Sequence, residues 1–343
     1  FPFKLFTWKT GLLSALLFIV AFNGIAWMQA RAMTHYLVDG GIVRRQKPED
    51  LSVTEKAWIV LTGVRVTRPE NERTPESVGL PYETHRIDFD RGQDFDREQD
   101  REEYLEAWFT PAENSKGIVL LFPQYGGSKE GVLSPAQAFH SLGYDIFLVD
   151  FRGAGGSSGS TTTMGVREGA DVAQAVSYVR QTWSDRPLVL YGASLGSVSV
   201  MRAIAHEGVE PDATILESPF DSLLKTVRHR FTASGLPAFP SAEVLVFWGG
   251  LQQNINGFAH NPADYAAEMH GPVLLMHGEA DTRVKVEEAE AIFERLPGQK
   301  SLVFFPSVGH GAFAREYPAE WAQTVDQFLQ QSLESHETTS KDI

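Results

Sequence analysis

Between Gly117 and Leu333 the chain alternates two kinds of apolar pattern. Short runs apolar on both faces read as fully buried strands: GIVLLFP from Gly117, YDIFLVDF from Tyr144, PLVLYGAS from Pro187, ATILES from Ala213, PVLLMHG from Pro272 and KSLVFFPS from Lys300. Between them lie GVLSPAQAFHSLG, GVREGADVAQAVSYVRQTW, the stretch from Leu195 to about His206, VEEAEAIFERL and a last segment around Pro318 to Leu333, all with apolar residues at helical spacing. Strands apolar on both sides must be covered on both sides. The alternation therefore predicts an α/β class with a mostly parallel, doubly wound sheet. Upstream, THRIDF and YLEAWFT predict two more strands. The acidic stretch DRGQDFDREQDREE between them lacks the regular spacing of a calcium loop and reads as a solvated turn or insertion.

Residues 220–269 break the alternation. SLLKTVRHRF, SGLPAFPSAEVLVFWGGL and NPADYAAEM read as short helices divided by Pro237, Pro240 and the Gly249-Gly250 pair. An insertion after the sixth strand sits over the carboxyl ends of the sheet, where open α/β sheets bind ligands. It is expected to form a lid, with Leu245, Val246, Phe247, Trp248 and Leu251 as its apolar side.

The N-terminus follows a third pattern. From Gly11 to Ala30 the chain carries no charge, with Trp8 and Trp27 near the two ends and Lys4, Lys9 and Arg31 outside. At about 1.5 Å per residue, some 20 apolar residues span a hydrocarbon core of about 30 Å, with Trp and Lys or Arg favouring its borders. A single-pass membrane anchor is expected. The alternative is a secretory signal cleaved near Ala30-Arg31-Ala32, although signal cores of about 7–15 residues are shorter than this run. Lys4 and Lys9 on one side compete with Arg31, Arg44, Arg45 and Lys47 on the other, which leaves the orientation open. The resulting plan is an anchor or signal over 1–31, a linker or packing arm over 32–80 with one short helix near Glu49 to Leu61, the α/β domain over 81–334, and a polar tail over 335–343.

Composition narrows the partners. A chain of 343 residues buries a sizeable core, and a formal net charge of −14 does not supply the clustered basic surface that nucleic acid demands. Without cysteine there is no disulfide, thiol nucleophile or cysteine-held zinc, and no cofactor or metal is expected. The glycine-rich DFRGAGGSSG from Asp150 fails the dinucleotide spacing because Ser158 takes the third glycine position, and Arg152 within it is expected to brace loops.

Chemistry enters at GASLG. A serine hydroxyl attacks a carbonyl only when it projects from the backbone and a base takes its proton. Gly192-Ala193-Ser194-Leu195-Gly196 lies between an apolar strand and a helix, where a G-x-S-x-G turn lifts its serine onto a tight elbow. An acid and then a histidine should follow, each at the end of a later strand. Asp281 in HGEAD and His310 in VGHG stand in that order, and His277 precedes the acid and is expected to be structural. Oxyanion donors are expected from the backbone N–H of Leu195 and from the turn FPQYGGS, at Tyr125 with Gln124 as the alternate.

The succession VLLFPQYGGS, FLVDFRGAGGSSG, GASLG, LESPF, LMHGEADTRV and VGHG resembles the α/β-hydrolase superfamily in its serine aminopeptidase-like (S33-type) branch, over about Leu80 to Leu333. The resemblance implies the α/β-hydrolase fold, a cap after the sixth strand, a triad of Ser194, Asp281 and His310, and cofactor-free cleavage of an ester, thioester or amide. Pro123-Gln124 departs from the His-Gly that such relatives carry in the oxyanion loop.

The expected activity is that of a carboxylesterase or lipase-like serine hydrolase on a small-molecule acyl substrate, lipidic ones included. One alternative is a serine peptidase or thioesterase, the peptidase with Glu217 or Asp221 receiving a substrate amine. The other is an inactive binding protein on the same fold.

Overall fold

The structure, a computed structural model, describes residues 8–38, 52, 54, 66–89 and 103–341. Apart from residues 52 and 54, the helix expected near Glu49 to Leu61 lies outside the described residues, as does the acidic stretch over 90–102.

Eight strands form one sheet: β1 (Glu83–Asp88), β2 (Tyr104–Thr110), β3 (Ile118–Phe122), β4 (Asp145–Val149), β5 (Leu188–Ala193), β6 (Ala213–Glu217), β7 (Val273–Gly278) and β8 (Lys300–Phe305). Their order is β1-β2-β4-β3-β5-β6-β7-β8. β2 pairs antiparallel with both β1 and β4, and every pairing from β4 through β8 is parallel. The helices are α1 (Trp8–Thr34), α2 (Leu133–Ser141), α3 (Glu168–Thr182), α4 (Leu195–His206), α5 (Leu223–Ala233), α6 (Ser241–Gln253), α7 (Pro262–Ala266), α8 (Val286–Arg295), α9 (Phe313–Glu316) and α10 (Pro318–Lys341).

Successive side chains of a strand point to opposite faces, and the apolar runs use both. Leu120, Phe122, Leu190 and Leu275 meet Val172 and Val179 of α3, Met201 of α4 and Ile292 of α8. Val119, Leu121, Tyr191 and Leu274 meet Phe139 of α2 and Trp321, Phe328 and Leu329 of α10. Each such side chain contributes about 1.5–3 kcal/mol by leaving water, so the two layers hold the sheet rigid from both sides. α10 continues beyond Leu333 to Lys341, into the stretch expected to be a polar tail. No glycine or proline interrupts the sequence there.

The linker packs onto this body over its described residues. Tyr36 and Leu37 make backbone hydrogen bonds to Ser160 and Val66, and the Arg68 guanidinium donates to the carbonyls of Gly155, Gly159 and Ser157. α5, α6 and α7 follow β6 as the expected insertion, and α1 lies against α6. An apolar cavity of about 60 Å³ is left between them, walled by Met33, Met164, Leu223, Leu245 and Val246.

Candidate active site

β5 passes into α4 through Ser194, which holds the strained backbone angles φ 53° and ψ −107°. Two glycines make this turn possible. A Cβ on Gly192 would lie 2.4 Å from the Gly196 carbonyl carbon and the Ser197 nitrogen, and one on Gly196 would lie 2.2 Å from the Phe122 carbonyl oxygen. The turn is also bolted from behind. Ser194 N–H donates to the Glu217 carbonyl at 2.7 Å, while the buried Ser197 hydroxyl donates to the Gly192 carbonyl at 2.6 Å and accepts the Glu217 N–H at 3.0 Å.

The loops after β7 and β8 bring two more side chains to this point. Glu279 and Ala280 donate backbone N–H groups to the carbonyls of Phe305 and Val308, and Gly278 lies so close to Val308 and Gly309 that a Cβ there would come within 2.4 Å of both carbonyl oxygens. His310 Nδ1 lies 2.6 Å from Asp281 Oδ2, and its Nε2 lies 2.8 Å from Ser194 Oγ. An ionised carboxylate only accepts, so Nδ1 carries the proton and Nε2 is left to accept from the serine hydroxyl. The other Asp281 oxygen accepts the N–H groups of Arg283 at 2.7 Å and Val284 at 3.1 Å. Burial on its own raises the Asp281 carboxyl, but His310 and these two N–H groups outweigh it, and the acid is held below its ordinary range. Serine, base and oriented carboxylate thus form one hydrogen-bonded chain at the carboxyl ends of β5, β7 and β8.

The sequence profile of the prolyl oligopeptidase family matches residues 132–336. The chain belongs to the prolyl oligopeptidase family. Its α/β-hydrolase architecture is the one expected from the motif order. An uncharacterized membrane protein of Saccharomyces cerevisiae is 31% identical over 239 residues, covering 69% of this chain and 76% of its own. A lysophosphatidylserine lipase of Danio rerio is 28% identical over 204 residues, covering 57% of this chain and 51% of its own, so the match spans about half of that enzyme. Among solved structures, an esterase of Pyrococcus furiosus shares the fold with a TM-score of 0.62 at 22% identity, over 78% of this chain and 98% of that one.

In this member of the prolyl oligopeptidase family the two expected oxyanion donors belong to adjoining segments. Leu195 opens α4, so its N–H has no acceptor one turn earlier in the helix. Tyr125 lies in a tight turn closed by the bond from Gly127 N–H to the Gln124 carbonyl, just after the Phe122 backbone that Gly196 presses against. Gln124 folds its side chain back over Gly127 and Gly131. The Tyr125 hydroxyl points elsewhere and donates to the Met33 carbonyl of α1 at 2.7 Å.

The other candidates are tied up. His277 is fully buried, its Nε2 3.3 Å from the Val284 carbonyl; burial lowers its pKa, and no hydrogen bond links it to Ser194. Glu217 lies in the core, accepting from Trp321 Nε1 at 2.7 Å and from the Tyr191 hydroxyl, and Asp221 is buried and paired with Lys225. Neither acid is presented to a substrate amine. Arg152 binds Asp171 at 2.6 Å and Glu103 at 2.5 Å, bracing the glycine-rich loop. Among the described residues no group of three or more His, Asp or Glu is placed to hold a metal.

Two features near the site escaped the sequence reading. Lys129 is wholly buried, bonded to Asp150 and to Glu106 at 2.7 Å, and fixes the start of the segment after the Tyr125 turn. The available signal was an aspartate closing an apolar strand opposite a lone lysine in GGSKEG. The second is the seam between α1 and the lid, signalled by Asn23 as a polar residue within an apolar run.

Proposed function

We propose that the protein is a membrane-anchored serine hydrolase that cleaves acyl esters through an acyl-enzyme. Ser194 Oγ attacks the ester carbonyl while His310 Nε2 takes its proton. Asp281 stabilises the imidazolium so formed, and the backbone N–H groups of Leu195 and Tyr125 receive the oxyanion. His310 returns the proton to the leaving alkoxide. A water then enters, His310 takes its proton, and the acid product departs as Ser194 recovers its hydrogen.

The observation that carries this reading is the continuous chain from Ser194 Oγ through His310 to Asp281, mounted on a serine held at strained backbone angles. The apolar α1 is read as the anchor, in keeping with its length, its hydropathy and the membrane protein among the relatives. A peptidase reading draws on the family's name. It loses its expected amine-binding acids, because Glu217 and Asp221 are already paired within the protein.

A fluorophosphonate probe tests the proposal. Labelling of the wild type and not of Ser194→Ala is expected, with turnover of acyl esters exceeding that of aminoacyl substrates. An unlabelled, folded wild type would remove the enzyme reading, and faster cleavage of aminoacyl amides would replace the esterase by a peptidase.

A further inference from the structure

The uncharged part of α1 runs from Thr10 to Ala30, 21 residues between Lys9 and Arg31. At ~1.5 Å per residue it is ~31 Å long, the thickness of a bilayer's hydrocarbon core. Only part of that length stands clear of the protein. Leu12, Leu16, Phe18 and Val20 are more than half exposed, but from Asn23 the helix is packed on α6. Asn23 Oδ1 accepts from Trp248 Nε1 at 3.1 Å, the Trp27 carbonyl accepts from Gln252 at 2.8 Å, and buried Ala30 faces Gly249. The 12 residues from Gly11 to Phe22 reach only ~18 Å. A bilayer covering the whole uncharged run therefore extends ~12 Å further, alongside α6.

α6 suits that surrounding. Phe247 and Leu251 lie one turn apart on one side of the helix, 51% and 62% exposed, with Phe239 at 75% in the loop just before it. Trp27, at the same level of α1, is a residue that favours the membrane border. We propose that α6 is a second membrane-contacting helix, seated in the interfacial layer of the bilayer that holds α1, with Phe247 and Leu251 among the acyl chains. The occupant of this face is the lipid layer itself, because exposed Phe247 and Leu251 stand on the helix that packs along the apolar α1. The lid is then the wall through which an acyl chain leaves the bilayer, and the apolar cavity lined by Met33, Leu245 and Val246 lies directly behind it. The inference rests on α1 being the anchor.

The chain has no cysteine, so a single introduced one is labelled uniquely. The full-length protein in phosphatidylcholine vesicles carries an environment-sensitive fluorophore at Phe247→Cys or Leu251→Cys, with Leu16→Cys in α1 and Glu290→Cys on α8 as references. Quenching by spin-labelled lipid is expected at 16, 247 and 251 and not at 290. Quenching at 16 with 247 and 251 behaving like 290 overturns the proposal and spares the anchor. Absence of quenching at 16 removes the anchor and the proposal together. Burial of the 247 label without lipid quenching means that a second copy covers α6, which also overturns it. In the double variant F247D/L251D, kcat/KM for a vesicle-borne long-chain ester should fall about tenfold relative to a water-soluble short ester. An unchanged ratio contradicts the proposal.

Discussion

The sheet and the layer formed by α1 and α6 are built from the same residue types and finish differently. Leu120, Phe122, Phe147 and Leu190 are wholly buried, because helices on both faces complete their packing. α6, with SAEVLVFWGGLQQ, buries Val246 and Gly250 against the domain and turns Phe247 and Leu251 outward, and α1 is exposed from Leu12 to Val20. A helix apolar on every side is stable only when every side is covered. The region that places the reacting groups completes its own packing. The region proposed to admit the substrate leaves its packing to the surroundings.

The sharpest way to break the division is at the chemistry. His310→Ala should lower kcat/KM by about 10⁴–10⁶-fold, since removing one member of such a constellation leaves only binding and the oxyanion donors. His277→Ala, although His277 is far nearer to Asp281 along the chain than His310 is, should keep activity within about tenfold of wild type. Steady-state kinetics on an acyl ester decides, and an equal loss in both variants would mean that the hydrogen-bonded chain is not the reacting unit.

A matched pair of glycines tests the packing itself. Gly196→Ala drives a Cβ to 2.2 Å from the Phe122 carbonyl oxygen, in a segment fixed on all sides, whereas the nearest atom to a Cβ on Gly249 is Ala30 Cβ at 3.9 Å. The first substitution should cost about 3 kcal/mol or more. The second should be neutral or gain up to about 1 kcal/mol from helix propensity. Thermal unfolding of the two variants measures the difference, and similar losses would show the lid seam to be as tightly packed as the elbow.

Legibility followed the same division. The strands from β3 to β8 were visible in the sequence because each is a short run apolar along its length, and GASLG, HGEAD and VGHG sit at strand ends that the pattern had already marked. What could not be read depended on side chains meeting across long sequence separations. Glu217 looked available to a substrate because it ends a strand, yet its side chain turns into the core toward Trp321, 104 residues away. The contact of Asn23 with Trp248, 225 residues apart, left only a weak trace in two individually ordinary residues.

Glu217 also sharpens the contrast through pH. Burial raises its carboxyl from the ordinary 4.5 to about 7. Between those values the folded protein keeps a proton that the unfolded chain has released. The stability tied to that proton is complete below about pH 4.5 and declines until the folded group ionises near pH 7. Glu217→Gln retains an acceptor for Trp321 and cannot ionise. It should be close to wild type at pH 4.5 and more stable by on the order of 3 kcal/mol at pH 8. Unfolding curves at both values check this, and a difference independent of pH would mean that the carboxyl is not held neutral by the core.

The smallest expected effect lies where the two regions meet. Tyr125 contributes its backbone to the turn beside the elbow and its hydroxyl to the Met33 carbonyl in the last turn of α1, 92 residues away, with its ring against Tyr36. Tyr125→Phe keeps the ring and the turn and removes only that hydrogen bond, which is worth about 0.5–1.5 kcal/mol. If the core is self-sufficient, the variant should unfold with nearly wild-type stability and hydrolyse a soluble ester within about threefold of the wild-type rate, because neither Ser194 nor His310 depends on the bond. Hydrogen exchange should meanwhile quicken at the C-terminal turn of α1, the segment the hydroxyl ties down. A large fall in turnover from this one oxygen atom would mean instead that the position of α1 sets the geometry of the oxyanion turn, and that the anchor and the reacting groups form one mechanical unit.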